Sequence, residues 1–418
     1  MAGLLDTLRP PHPLAHREKV ILALFGVVAF TTGWSGSAIT HALPFLQEDL
    51  ALSDARVFDL MAIVRAAALT ALLLSWWGDR SGRRRPMLVG FALLTVGNLA
   101  TAVFSSHLGV TITQSVARIG TIGLGALAVV VLAEEVEPLV RGYAIGVFVF
   151  FASLGTGFGL LLRPLADRAP DAWRLLFALS AVPLLATPLL VRRLGESRAF
   201  SRPVDRPPLA TVFRRGHAGR FWPMAILSFA VAAFTGPAAN LALLRMQHDL
   251  AWSTGAASLM LALTSAPGVT LGVLAGGRMA DVIGRRWTQF ASIVVGVAGG
   301  VMFYESANGW VMGVGITIST LGAFAFAPAF ASHRSELFPT DLRATAAAWI
   351  INAGIVGGLV GFAAGRFVVD AWGIPATITV LGVVLFAVSF VVFTLPETKG
   401  VTLSPGAGPI DPGAATQA

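Results

Sequence analysis

Two arginines lie inside otherwise apolar stretches of this 418-residue chain. Arg118 falls within residues 109–133, about nine residues from one end, or roughly 14 Å along a helix. Arg65 falls within residues 58–77. A guanidinium in such surroundings costs several kcal/mol unless it is paired or solvated, and no Asp or Glu lies in the middle of any apolar stretch. Because guanidinium groups hold carboxylates and phosphates through paired hydrogen bonds, the pattern predicts a binding site for a small organic anion.

Each arginine also has a structural interpretation without a ligand. Arg118 can hydrogen-bond helix carbonyls and nearby polar side chains, and Arg65 can extend outward to solvent or meet Asp59. For the anion site, we expect Arg118 to be the main charge contact and Arg65 a second one. The weaker candidates are polar or aromatic residues that are also common in helix packing: Trp34, Ser35, Gln114, Asn240 and Asn352.

The stretches that position these residues are long enough to cross a bilayer. The chain is 55% apolar and only 12% charged, with a mean hydropathy of +0.75, whereas a soluble domain carries roughly 25% charge. A membrane span needs about 20 apolar residues and must be helical, because lipid cannot satisfy exposed backbone groups. The sequence therefore predicts an all-α membrane protein with twelve transmembrane helices, near residues 20–44, 58–77, 87–104, 109–133, 142–162, 173–195, 222–244, 256–276, 288–304, 309–332, 345–365 and 372–395.

Charged motifs in the loops occur twice, about 201 residues apart. A duplicated half in an apolar chain is typical of transporters that bind their substrate between two similar bundles. The repeated pairs begin at Asp79 and Asp281, at Glu135 and Glu336, and at Glu196 and Glu397. The predicted parts are an N-terminal segment (1–19), a six-helix bundle (20–195), a basic linker (196–221), a second six-helix bundle (222–395) and a C-terminal tail (396–418).

The distribution of basic residues predicts the orientation. Most of the 30 Lys and Arg residues fall in segments that are cytoplasmic if the N-terminus is inside, which is the orientation that the positive-inside rule favours. We therefore expect a multi-pass protein of the inner cell membrane with both termini in the cytoplasm. The net charge of +8 is explained by these loops and favours contact with anionic lipids rather than nucleic acid.

The loop motifs resemble those of the major facilitator superfamily. The superfamily loop has Gly, then Asp four residues later, then Gly-Arg-Arg; Gly277 fits its first position in the second copy, and Ser75 replaces it in the first. The segments 135–142, 336–343 and 396–400 resemble the motifs of its sugar-porter and metabolite–proton symporter branches. The resemblance implies two six-helix bundles that rock about a central cavity, with conformational locks at Asp79, Arg83, Glu135, Arg141, Asp281, Arg285, Glu336, Arg343 and Glu397.

The chain departs from these branches at the binding positions. Ala232 and Ala233 stand where sugar porters carry a pair of glutamines, and Ala331 stands where they carry Trp. A site without these hydrogen-bonding groups rejects hexoses. Ser35 stands where proton-coupled relatives carry an Asp, and Arg118 matches the Arg that pairs with that acid. Proton symport and facilitated diffusion therefore both stay open.

The sequence favours a secondary active or facilitative transporter of a small organic anion, acting as a monomer with a small-molecule partner and without a cofactor or metal. Efflux of lipophilic compounds is a second hypothesis, since the replaced positions are apolar. A receptor that binds without transporting is a third. We expect no enzymatic activity, because no nucleophile, base and orienting group recur at a useful spacing.

Overall fold

The computed structural model describes residues 15–136, 141–193, 212–213 and 215–399. Helices make up nearly all of this part of the chain, and it contains no strand. The chain divides into two compact units. One contains Met1–Leu52 and Ile63–Pro203, and the other contains Ser53–Ala62 and Val204–Ala418.

The first unit is built on long helices joined by short turns. They are α1 (His16–Asp49), α2 (Asp54–Ala67), a 3-10 turn (Ala68–Ala71) leading into α3 (Leu72–Ser81), α4 (Arg84–Thr101), α5 (His107–Glu135) and α6 (Arg141–Leu161). The sixth predicted span is interrupted: 3-10 turns at Arg163–Arg168 and Pro170–Trp173 precede α7 (Arg174–Ser180), and Val182–Ala186 precedes α8 (Thr187–Arg193). The first turns of α2 are assigned to the second unit.

The second unit begins at α9 (Arg215–Leu244), which continues in a π-helical turn (Arg245–Asp249). It goes on through α10 (Thr254–Ile283), α11 (Arg285–Glu305), α12 (Gly309–Leu337), α13 (Thr340–Ser389) and a 3-10 turn (Phe390–Thr394). Side-chain caps fix two of these starts. Ser253 accepts a hydrogen bond from the backbone N–H of Ala256, and Asn308 accepts one from that of Trp310, as expected of N-cap residues.

Twelve spanning segments can be traced in the described residues. Nine helical segments are long and apolar enough to cross a membrane. One of them contains α13, where Gly373 at φ 74° followed by Pro375 breaks the helix into two spans. The shorter α4 and the α7–α8 pair supply the remaining two. The twelve-helix prediction is confirmed, although the predicted gap at 366–371 is helical and the break lies at Gly373 instead.

Small residues let helices approach closely within each unit. A Cβ on Gly33 of α1 would lie 1.8 Å from the carbonyl oxygen of Ala152 on α6. A Cβ on Gly361 of α13 would lie 2.1 Å from that of Ala233 on α9. Glycine at these positions therefore permits backbone contact between the paired helices.

Candidate substrate site and charged clusters

Arg118 lies midway along α5 in the first unit. Its Nε atom is buried and has no hydrogen-bond partner. Within the described ranges, no carboxylate forms an ion pair with it. A buried guanidinium in this condition retains unused donors. It can therefore bind the carboxylate or phosphate of a ligand.

Arg65 lies on α2, directly before the 3-10 turn that joins α2 to α3. It is close enough to Arg118 for the two positive charges to repel each other. Asp59, the alternative partner expected for Arg65, belongs with the second unit and pairs there with Arg366 of α13. The Nε atom of Arg366 lies 2.7 Å from Oδ1 of Asp59. The two neighbouring guanidinium groups of the first unit produce a positive potential that an anion would relieve.

Ser35 and Gln114 belong to a buried network that ties four helices of the first unit together. The Ser35 hydroxyl donates to the carbonyl of Ser180 on α7. The Ser35 carbonyl accepts from Nδ2 of Asn98 on α4 at 2.9 Å. Gln114 donates to Oδ1 of Asn98 at 3.0 Å and to Oγ1 of Thr101 at 2.8 Å. Ser35 is 2% exposed and Gln114 is 3% exposed, so both side chains are engaged in helix packing.

Sequence reasoning did not single out Asn98, which is the centre of this network. The residue is fully buried and contacts both α1 and α5. The available signal was a lone amide in the middle of the apolar stretch 87–104, because a buried amide requires hydrogen-bond partners. The same argument would have assigned Gln114 to packing.

Trp34 also packs within the first unit. Its ring is 7% exposed and meets Phe158 of α6 edge to face, with 4.9 Å between centroids. Phe30 lies 5.9 Å away on the same helix. This arrangement fixes α1 against α6 and leaves little of the indole for a ligand.

The two candidate asparagines of the second unit differ in the hydrogen-bonding groups that they leave unused. The Nδ2 atom of Asn240 on α9 donates to the carbonyl of Gly236 at 2.7 Å. The Nδ2 atom of Asn352 on α13 donates to the carbonyl of Ala348 at 2.9 Å. The Oδ1 atom of Asn352 is buried with no hydrogen-bond partner, so Asn352 retains an acceptor for a ligand hydroxyl or amine.

The second copy of the loop motif forms a charged cluster around Arg285. Arg285 opens α11, and Asp281 lies near the end of α10, before the turn that joins the two helices. The Nη1 atom of Arg285 donates to Oδ1 of Asp281 at 2.6 Å. Its Nη2 and Nε atoms donate to the two carboxylate oxygens of Glu336 on α12 at 2.9 and 3.2 Å. The structure thus brings these three predicted lock residues together, with Gly284 making the turn at φ 99°.

Glu397 joins the cluster through backbone groups. Its carboxylate accepts the backbone N–H groups of Arg285 and Arg286 at 2.7 and 3.1 Å, at the N-terminus of α11. It also accepts those of Thr398 and Lys399. Burial alone raises the pKa of Glu397, but the four hydrogen bonds outweigh burial and bring the pKa below its usual value. The residue is therefore a charged cap on α11.

The other predicted lock residues lie apart from this cluster or outside the description. The Nε atom of Arg343 is buried with no hydrogen-bond partner. Glu135 pairs with Arg17 at the start of α1, and Arg83 is 7% exposed. The side chains of Asp79 and Arg141 lie outside the described residues. The lock predicted for the first copy therefore stays a prediction.

A family model of the Major Facilitator Superfamily matches residues 25–244 and 221–415. The chain belongs to the major facilitator superfamily. This confirms the resemblance that was read from the loop motifs. Solved structures of this superfamily have the same fold. The inward open conformation of the xylose transporter XylE from E. coli superposes with a TM-score of 0.73 at 16% identity, covering 92% of this chain and 98% of that one.

Several superfamily relatives are named for small-molecule transport. Myo-inositol transporter 3A of Cryptococcus neoformans is 30% identical over 200 residues, which are 47% of this chain and 34% of the relative. The match thus spans about a third of that protein's length. A probable 4-methylmuconolactone transporter of Cupriavidus pinatubonensis is 25% identical over 387 residues, which are 86% of each chain.

Proposed function

We propose that this superfamily member transports a small organic anion, with Arg118 as its main charge contact and Arg65 as a second one. The observation that carries the proposal is the buried Nε of Arg118, which has no described partner. The protein acts by alternating access in the inner cell membrane, with both termini in the cytoplasm, as a monomer and not as an enzyme. The basic loops support this orientation.

Electrostatics favour an anion over a neutral ligand at this site. A carboxylate about 4 Å from a guanidinium gains about 4 kcal/mol at an effective dielectric constant near 20. The neighbouring charge of Arg65 adds to that attraction. A neutral ligand can occupy the donors of Arg118 but cannot offset the repulsion between the two arginines.

The relatives support a small oxygen-containing metabolite as the substrate class. The relative named for 4-methylmuconolactone matches along 86% of its length, whereas the myo-inositol transporter matches along 34%. A neutral polyol is the second candidate, favoured by those names and by the unpartnered Oδ1 of Asn352. Against it stand Ala232, Ala233 and Ala331, which cannot hydrogen-bond a ring of hydroxyls.

The experiment is uptake by purified protein in proteoliposomes. Radiolabelled benzoate, lactate and succinate represent carboxylates, and myo-inositol and xylose represent polyols. We expect carboxylate uptake, and we expect Arg118→Ala to weaken it by more than about 100-fold, since two charge-assisted hydrogen bonds contribute about 3 kcal/mol. Arg118→Lys keeps the charge and should recover part of the loss. Arg56→Ala, which removes an exposed arginine, is the control.

Two results would contradict the proposal. Carboxylate uptake that is unchanged in Arg118→Ala would show that this arginine is not the anion contact. Uptake of myo-inositol or xylose without any carboxylate uptake would select the polyol candidate. An imposed pH gradient tests the energy source in the same vesicles, because uptake that ignores the gradient identifies a facilitator.

A further inference from the structure

Five residues form the Arg285 cluster: Asp281, Arg285, Glu336, Glu397 and Thr398. His333 is a buried imidazole beside this cluster. It lies one turn before the end of α12 and is fully shielded from solvent. One ring nitrogen, Nδ1, lies 2.8 Å from Nε2 of Gln289 on α11. The other, Nε2, lies 2.9 Å from the carbonyl oxygen of Pro396. The ring therefore joins α12 both to α11 and to the segment 395–399.

These two contacts determine the protonation state of the ring. A carbonyl oxygen only accepts, so Nε2 of His333 must carry a proton and donate to Pro396. The amide nitrogen of Gln289 only donates, so Nδ1 must be unprotonated and accept from it. Gln289 also donates to the carbonyl of Arg285 at 3.1 Å, which fixes the direction of the amide. The assembled cluster thus contains a neutral imidazole in its Nε2–H form.

A second proton on the ring is incompatible with this arrangement. With Nδ1 protonated, two donors would face each other between His333 and Gln289. Rotation of the amide would present its oxygen to the ring, but it would remove the bond to the Arg285 carbonyl. The charged groups acting on the ring come from each element around it: Glu336 on its own helix, Glu397 in the C-terminal segment and Arg285 on α11.

We propose that His333 is a proton-binding site that controls the Arg285 cluster. The neutral ring holds the segment 395–399 against α12, and a proton binds Nδ1 only when these contacts break. This inference does not depend on the identity of the substrate. The same helices carry the lock residues, so cytoplasmic acidification favours release of the lock.

The pH dependence of release follows from proton binding to His333 in the released form. A released His333 has the ordinary histidine pKa of about 6.5. Proton binding by the released form alone then increases the ratio of released to assembled cluster by about eightfold between about pH 7 and pH 5.5. Replacement of the ring by a group that does not titrate abolishes this dependence.

Cysteine labelling measures the release, because the natural sequence contains no cysteine. Leu395→Cys places a thiol at a position that is 2% exposed in the assembled segment. Val282→Cys, at a position 61% exposed, corrects for the pH dependence of the reagent. We expect the corrected labelling rate to rise about eightfold from about pH 7 to pH 5.5. In His333→Gln it should stay constant.

An equal rise in His333→Gln, or a constant rate in the protein that keeps His333, would overturn the proposal. Ring ¹⁵N NMR of histidine-labelled protein gives a second readout that does not require His333→Gln to fold. The His333 signals, assigned by their displacement in Gln289→Leu, should show the Nε2–H form near pH 8. An Nδ1–H form there would refute the argument.

Discussion

The charged cap that Glu397 forms on α11 leads to a quantitative prediction. Glu397→Gln keeps the shape of the side chain but removes its charge and turns one acceptor oxygen into a donor. The N–H of Arg285 or that of Arg286 then loses its acceptor, since the two bind different oxygens of the carboxylate. Loss of a charge-assisted hydrogen bond costs about 1.5–3 kcal/mol. Loss of a negative charge at a helix N-terminus costs about 0.3–1 kcal/mol more.

The assay is amide hydrogen exchange at the first turn of α11. The expected loss of about 2–4 kcal/mol corresponds to roughly 30- to 700-fold faster exchange at Arg285 and Arg286 if these amides open locally. Glu305→Gln is the matched control, because it makes the same substitution at the exposed opposite end of the same helix. We expect no change at Arg285 in that variant. Unchanged exchange in Glu397→Gln would refute the capping argument.

The pH dependence of this cap separates it from the histidine contact. The pKa of Glu397 lies below its usual value in the folded protein, so its stabilisation is present above the unfolded pKa of about 4.3. It is lost only as the pH falls through the lower folded value. At about pH 5.5 Glu397 is therefore still ionised, so any loss of protection at the first turn of α11 between about pH 7 and pH 5.5 should come from His333 and be absent in His333→Gln.

Two further predictions concern packing in each unit. Asn98→Leu leaves the Ser35 carbonyl without its donor and removes the Asn98 acceptor of Gln114. We therefore expect the free energy of unfolding to fall by about 2–4 kcal/mol, measured as a lower melting temperature in detergent. An unchanged melting temperature would show that the network contributes little. Gly361→Ala forces a methyl group to 2.1 Å from a backbone oxygen and should destabilise the folded protein by about 1–3 kcal/mol. The control is Gly146→Ala, whose methyl group meets nothing within 4 Å and should leave stability unchanged. Equal melting temperatures for the two variants would contradict the close approach at Gly361.

The parts of this molecule that the sequence predicts are those encoded locally. Span positions follow from runs of apolar residues, and a glycine stands three positions after each loop Asp, where it permits a tight turn. The structure has Gly82 at φ 101° and Gly284 at φ 99° between consecutive helices. Asp281 and Arg285 lie on either side of that second turn, which brings Nη1 of Arg285 to 2.6 Å from Oδ1 of Asp281.

The parts that sequence reasoning missed depend on how helices are rotated about their axes. Ser35 and Gln114 were candidates for a ligand because both are polar residues in apolar stretches. The structure turns them toward Asn98 instead, and nothing in an apolar helix without a polar face predicts that rotation. His333 was missed for the same reason, since its partners Gln289 and Pro396 are distant in the sequence and only packing brings them together.

The contrast between two arginines supports the assignment of the proposed lock and the proposed anion site to different side chains. Arg285 meets two carboxylates and the carbonyl of Ala280, so its charge is compensated within the second unit and a ligand would have to displace an existing partner. Arg118 has a buried Nε without a described partner and another guanidinium nearby. A protein that compensates one buried arginine with acids has the means to compensate the other. Leaving Arg118 without an acid is costly, and an anion that binds and leaves would offset that cost only while it is bound.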